Sequence, residues 1–292
     1  MAIPKRTLSA QEQHLVRSAL QTATLEALMA SRRWEPGDIA FQGGTSLHLA
    51  HGSARFSEDL DFMVRGGLSL AGLSAKVLEK LNLPASIPAD LKLSVTRGKD
   101  AKNPHSFDVV LSGPDVLGSV KVKIELWQTG DAALRSLQVQ VSTVTSAAGQ
   151  AFVPTLTLDE IFADKVYALG ARKRIKPRDV FDLWWLEQKH LPALQPQALQ
   201  TRLEIYPAPS GRAVDTAQRW LHSAERRLDE LRSPNAAAVV SADLQRWLPS
   251  SWKMDARVAA DMLRPAIAHL ESAMVTMQAI AKAVSTEQRG AE

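Results

Sequence analysis

The strongest constraint on the fold is a change of periodicity near residue 154. Between residues 91 and 145, four segments are rich in β-branched residues and alternate as strands do: LKLSVTRG (91–98), SFDVVLSG (106–113), VKVKIELWQ (120–128) and LQVQVSTVT (137–145). From Leu158 onward the alternation is gone. Nearly every stretch there reads as helix, broken at Pro177, Pro192, the PAPSG stretch at 207–211, Pro234, Pro249 and Pro265. Upstream, Ser9 to Arg33 has apolar residues near helical spacing, Pro36-Gly37 marks a turn, LHLAH (47–51) reads as a short helix, and Phe56 to Val64 alternates as a strand. A further helix is expected over SLAGLSAKVLEKLN (69–82). The expected architecture is therefore α/β (α+β), a small mixed sheet flanked by helices, followed by an all-helical part. The boundary falls near 154–157, giving domains 1–156 and 157–292.

Composition excludes several classes. Hydrophobic residues make up 45% and charged residues 23%, the balance of a folded globular chain. There is no cysteine, so neither a disulfide framework nor a thiolate metal site is possible. The seven histidines show no metal-ligand spacing, and the seven tryptophans read as core. The N-terminus lacks the apolar stretch of a signal peptide and no apolar run has membrane-spanning length, which makes a cytoplasmic protein the expectation. The net charge of +4 and pI near 9.4 are compatible with a nucleotide or nucleic-acid partner. The basic residues gather in ARKRIKPR (171–178) and RWLHSAERRLDELR (219–232).

The chemistry concentrates in FQGGTSLHLAHGSARFSEDLDFMV (41–64). On a strand, Asp59 and Asp61 would share a face, roughly 6–7 Å apart at Cα, with Leu60 and Phe62 turned into the core. Two carboxylates so placed repel each other unless a cation lies between them, and Mg²⁺ prefers such hard oxygen ligands together with substrate phosphates. Upstream, Gly43 and Gly44 allow close backbone approach to an anion, and Thr45 and Ser46 add hydroxyl donors. The two features together form a phosphate cradle one short helix ahead of a metal-binding acidic strand.

Gly-Gly-Thr-Ser, a gap, then Asp-apolar-Asp resembles the signature of the polymerase-β-like nucleotidyltransferase superfamily. The closer wording GGTSLHLAHGSARFSEDLDF, with Arg55 and Ser57 before the acidic pair, resembles the AbiEii/AbiGii toxin family, which includes abortive-infection toxins and MenT-type toxins of toxin–antitoxin pairs. The resemblance implies a nucleotidyltransferase core domain over 1–156 and a helical domain that closes one side of a cleft. It implies transfer of a nucleoside monophosphate from an NTP to an RNA acceptor, the 3′ end of tRNA, which blocks translation. Two Mg²⁺ ions, about 3.5–4 Å apart, would be held by Asp59 and Asp61. A separately encoded antitoxin, often a DNA-binding repressor, is the implied partner, and the basic segments would grip RNA. The rival readings are nucleotidyl transfer to a protein or small molecule, and a catalytically silent nucleotide- or partner-binding module.

The superfamily places a third carboxylate on a neighbouring strand. In VKVKIEL (120–126), Lys121, Lys123 and Glu125 share the face opposite Val120, Val122, Ile124 and Leu126, so Glu125 is the preferred third metal ligand or base; Asp108 competes for the role. A second stretch, TLTLDEIFADKVYALGARKRIKPRDVFDLWWL (155–186), opens with Thr157-x-x-Glu160, a capping-box pattern, and continues as an amphipathic hairpin. Its Asp-Lys-x-x-Ala-Leu…Arg…Arg-Asp-x-x-Asp-Leu wording resembles the family's later motifs. That implies that Lys165 contacts the nucleotide phosphates, with Asp182 and Asp179 in support; Asp179 could equally pair with Arg178 or Arg174 and only hold the hairpin.

Overall fold

The computed structural model describes residues 5–97, 103–145, 149–190 and 193–290. Gly98, the end of one expected strand, and the expected helix break Pro192 lie outside the described residues. The chain divides into two compact units. The first is Met1–Gly52, Ser57–Arg135 and Val139–Leu156; the second is Ser53–Phe56, Ser136–Gln138 and Thr157–Glu292.

The first unit is built on a seven-stranded mixed sheet. Its strands are β2 (Ile39–Gln42), β3 (Leu60–Arg65), β4 (Lys92–Arg97), β5 (His105–Ser112), β7 (Ser119–Thr129), β8 (Val139–Thr145) and β9 (Gln150–Leu156), in spatial order β4-β5-β7-β3-β2-β9-β8. The short β1 (Arg6–Thr7) and β6 (Val116–Leu117) pair separately. At the sheet's centre β3 runs antiparallel to β2 and parallel to β7. Alternation turns Phe41, Phe62, Val122, Ile124 and Leu126 into the core, and the Phe41 and Phe62 rings stack with centroids 4.9 Å apart. This packing fixes the register, since a slip of one residue would bury the polar face of β3.

Helix α1 (Ala10–Ala30) packs across β7 and β9 and against α3 (Leu73–Lys80). It begins at a complete capping box: the Ser9 hydroxyl accepts from the Glu12 N–H, and the Glu12 carboxylate accepts from the Ser9 N–H. Helix α2 (Gly43–Leu49) starts at the first glycine of GGTS and so takes in all four of those residues, earlier than the expected LHLAH. The helix α4 (Asp131–Ser136) and strand β9 were not expected from periodicity. Pro154 lies inside β9, where it cannot donate a ladder hydrogen bond, and β9 meets β2 through the single pairing Phe41↔Thr155. The expected strand over 56–64 also begins later, at Leu60.

The second unit is helical: α5 (Leu158–Ala171), α6 (Pro177–Glu187), α7 (Pro196–Ile205), α8 (Ala213–Arg232), α9 (Ala236–Leu244) and α10 (Ala256–Gly290). Ile161, Phe162, Val166 and Leu169 form the buried stripe of α5, whereas Leu158 is only half-buried. Pro177 and Pro196 each open a helix, where a missing N–H costs nothing. Pro265, expected to break a helix, lies within α10. The capping box expected at Thr157 does not form: Thr157 is the N-cap residue but makes no side-chain cap bond. Glu160 instead meets the fully buried Arg202 at 2.6 Å and accepts the Gln138 N–H at 3.2 Å. A buried guanidinium requires that carboxylate more strongly than a helix end does. No described helix is long and apolar enough to cross a membrane.

Candidate active site

The acidic site belongs to the first unit. In-register pairing across β2, β3, β7 and β5 lines up Gln42, Asp61, Glu125 and Ser106. Paired residues project to the same side of a sheet, so the Asp61 and Glu125 side chains stand beside one another on adjacent strands. Asp108 pairs with Lys123, two residues along β7 from Glu125. Of the two candidates for the third carboxylate, Glu125 is thus the one opposite Asp61.

Asp59 lies one residue ahead of β3, so the two aspartates do not share one regular strand as expected. Tertiary contacts take over from strand pairing there. The Gln21 amide donates to the carbonyls of Ser57 at 2.8 Å and Glu58 at 3.1 Å, and the buried Thr45 hydroxyl donates to the Asp59 carbonyl. Ser46 is also fully buried, and its hydroxyl has no hydrogen-bond partner among the described residues.

Gly43 explains why glycine opens α2. Its φ is +78°, in the region L side chains avoid, and a Cβ there would stand 2.6 Å from Asp61 Oδ2 and 3.2 Å from Asp61 Cβ. The Asp61 carboxylate occupies the volume a side chain at position 43 would need.

The carboxylates already attract a cation. Lys123 Nζ donates to Glu125 Oε1, and Lys121 Nζ lies 3.3 Å from Asp108 Oδ2. The Lys123 ammonium is held above the ordinary lysine value, first by the Glu125 hydrogen bond, against the opposing effect of burial, and further by the charges of Glu125, Asp59 and Asp108. Among the described residues no three His, Asp or Glu side chains are gathered as a ready metal cage; Glu125 is engaged by Lys123 instead. An all-oxygen donor set whose field already holds an ammonium fits a hard divalent cation.

The other motif residues belong to the second unit, where they form a buried ion network. Lys165 Nζ lies 3.1 Å from Asp179 Oδ1 and 2.7 Å from Asp182 Oδ2. Arg55 grips Asp182 in a fork, with Nε and Nη2 each donating at 2.8 Å, and Arg172 reaches Asp179 at 3.0 Å. The Asp179 partners are thus Lys165 and Arg172, rather than Arg178 or Arg174. Burial works to raise the Asp182 carboxyl, but Arg55 and Lys165 outweigh it and hold it below the ordinary range. Burial likewise pushes the Lys165 ammonium down; Asp182 and Asp179 override this, against Arg55, and hold it above the ordinary range.

The assignment of residues 53–56 to the second unit has a clear physical cause. Arg55 is 2% exposed, and the Phe56 N–H donates to the Trp247 carbonyl at 2.8 Å. The sequence marked Arg55 only through its place in the motif. Its pairing with Asp182, 127 residues away, had no local signal.

This mixed sheet, with its acidic register and glycine-opened helix, has counterparts of the same fold among solved structures. Two Helicobacter pylori crystal structures share the fold. One has 21% identity and TM-score 0.51, covering 96% of this chain and 98% of its own; the other, JHP933, has 19% identity and TM-score 0.51, covering 95% and 98%. MenT4, a nucleotidyltransferase toxin from Mycobacterium tuberculosis H37Rv, matches at TM-score 0.52 with 14% identity, covering 96% of this chain and 94% of that one. No curated protein matches the chain. The family described as nucleotidyl transferase AbiEii toxin, type IV TA system, matches residues 26–254. The chain belongs to this AbiEii family and is a nucleotidyltransferase toxin of a type IV toxin–antitoxin system. Membership brings an NTP as substrate and a separate antitoxin.

Proposed function

We propose that the chain transfers a nucleoside monophosphate from an NTP to an RNA hydroxyl, the 3′ end of tRNA, in a Mg²⁺-dependent reaction in the cytoplasm that blocks translation. The observation that carries this reading is the in-register pair Asp61–Glu125, with Gly43 leaving room for the Asp61 carboxylate. Asp59, Asp61 and Glu125 would hold the divalent cation, which supplies neutralisation of the triphosphate and the developing charge when bound.

The remaining work falls to the chain's own groups. The acceptor oxygen attacks the α-phosphorus, the bond from that phosphorus to the bridging oxygen breaks, and pyrophosphate leaves with the electron pair. Glu125 is assigned to take the hydroxyl proton. Gly43, Gly44 and Ser46 are assigned to the triphosphate. Thr45, through its bond to the Asp59 carbonyl, fixes that residue's backbone. Lys165 contributes positive charge to nucleotide binding and Asp182 supports it; a raised KM for NTP in a folded Lys165→Gln variant measures that part.

The test is incubation of the protein with Mg²⁺, total tRNA and each labelled NTP in turn, beside an Asp59→Ala/Asp61→Ala variant. Label in tRNA with the wild type alone supports the reaction and names the nucleotide. No label in tRNA, from protein that binds Mg·NTP, moves the acceptor to a protein or small molecule.

A further inference from the structure

We infer that the loop joining α5 to α6, residues 172–176, is a phosphodiester-binding surface that grips the backbone of the RNA acceptor; this rests on the RNA-acceptor reading above. Five of the seven residues from 172 to 178 are cationic: Arg172, Lys173, Arg174, Lys176 and Arg178. At its ends the loop keeps backbone bonds to the helices, Arg172 N–H to the Ala168 carbonyl at 3.0 Å and Asp179 N–H to the Lys176 carbonyl at 2.8 Å, and between them one face of α8 holds its backbone. Ser223 Oγ donates to the Arg172 carbonyl at 3.3 Å, Arg227 Nη1 donates to the Lys173 carbonyl at 2.6 Å, and the Ile175 N–H donates to Glu230 Oε2 at 3.4 Å. Arg227 is buried and also meets Glu230 at 2.7 Å. The basic side chains are therefore not needed to shape the loop.

Several other exposed arginines are already neutralised by a carboxylate. Arg6, Arg33, Arg212, Arg232, Arg246 and Arg264 each have a carboxylate within ion-pair reach. Lys173, Arg174 and Lys176 are exposed, and among the described residues none of them has a carboxylate at that distance. Arg172 turns back to Asp179, and Arg178 lies over the Trp247 ring, 4.2 Å from its centroid. The result is a preorganised loop with three unmatched positive charges above two anchored ones. Crowding shows at Lys176, whose ammonium is held below the ordinary lysine value by burial first and then by Arg172, with Arg178 and Lys165 adding to the effect and Asp179 opposing it. A bound phosphate relieves that crowding.

The same contacts narrow the second basic segment. In 219–232, Arg227 is committed to the loop and Arg232 to Glu271. Of that segment's four arginines, Arg227 serves as scaffold for the 172–176 loop.

The test uses the full-length Lys173→Gln/Arg174→Gln/Lys176→Gln variant, which leaves the α8 contacts to the backbone in place. Affinity for total tRNA is measured from 50 to 200 mM salt, with the KM for tRNA, the Kd for Mg·NTP and the urea unfolding midpoint. Each lost phosphate contact lowers the slope of log K against log salt by about 0.7 to 0.9. The expected result is a slope reduced by about 2 to 3 units, a KM for tRNA raised at least about tenfold, and unchanged Mg·NTP affinity and unfolding midpoint. An unchanged slope and KM, with the wild type still labelling tRNA, would overturn the loop assignment and leave the RNA reading standing. A wild type that binds Mg·NTP but neither binds nor labels tRNA would overturn the RNA reading and this inference with it.

Discussion

Replacing Gly43 with alanine should disable the enzyme through geometry rather than through unfolding. Two effects add. The residue has φ +78°, and a left-handed conformation at a non-glycine residue costs about 1–2 kcal/mol. The new Cβ would also stand 2.6 Å from Asp61 Oδ2, well inside ordinary contact distance. Asp61 would have to give way by most of an ångström, leaving its preferred rotamer at a cost of about 0.5–1.5 kcal/mol. The sum, about 1.5–3.5 kcal/mol, is tolerable for many folded domains. A catalytic group misplaced by about 1 Å, however, loses roughly a hundredfold in rate. Gly52→Ala separates the two effects, because Gly52 has φ +77° but nothing within 4 Å of the added Cβ. Urea unfolding should show both variants destabilised by about 1–2 kcal/mol from the backbone alone, with Gly43→Ala lower by its clash. Transfer of labelled nucleotide should fall roughly a hundredfold in Gly43→Ala and stay near wild type in Gly52→Ala. Equal rates in the two variants would refute the claim that Gly43 makes room for Asp61.

Other outcomes follow from the same contacts. Arg55→Ala should destabilise the fold by about 3–5 kcal/mol, because it leaves the Asp182 carboxylate buried without its fork; a loss under about 1 kcal/mol in urea unfolding would contradict the buried network. The Asp182 carboxyl is held below its unfolded value, so its contribution is present above the ordinary aspartate range and lost as pH falls through the folded value. The stability gap between wild type and Asp182→Asn should therefore narrow from pH 7 to pH 3, and an unchanged gap would argue against ionised Asp182. Gly170→Ala would drive a Cβ to within 2.4 Å of the Trp220 ring, an overpacking expected to cost about 1–3 kcal/mol. Thermal unfolding checks it, with an unshifted midpoint counting against the packing described.

What could be read from the chain followed how local the signal was. Alternation exposed five strands and turned Leu60 and Phe62 inward, because burial on one face of a sheet leaves a period of two. GGTS and Asp59–Asp61 stand out as one candidate site because those residues lie within twenty positions of one another. Long-range claims on side chains were not. Glu160 sits at the right spacing for a capping box, but Arg202 binds it from a helix 42 residues away. Arg55 appears as one charge in a loop, and only the fold shows that Asp182 buries it. Strand β9 was concealed by Pro154, and Asp59 left the strand because the chain just before it is held by Gln21, Thr45 and Trp247 rather than by strand pairing.

The proposed divalent-cation site of Asp61, Glu125 and Asp59 is tested most directly by Mn²⁺ binding, followed by electron paramagnetic resonance with a non-transferable NTP analogue present. Wild type and Asp108→Asn should bind with similar affinity, whereas Asp61→Asn and Glu125→Gln should each weaken binding by at least about tenfold. Wild-type affinity in Glu125→Gln, with Asp108→Asn weakened in its place, would contradict the site described.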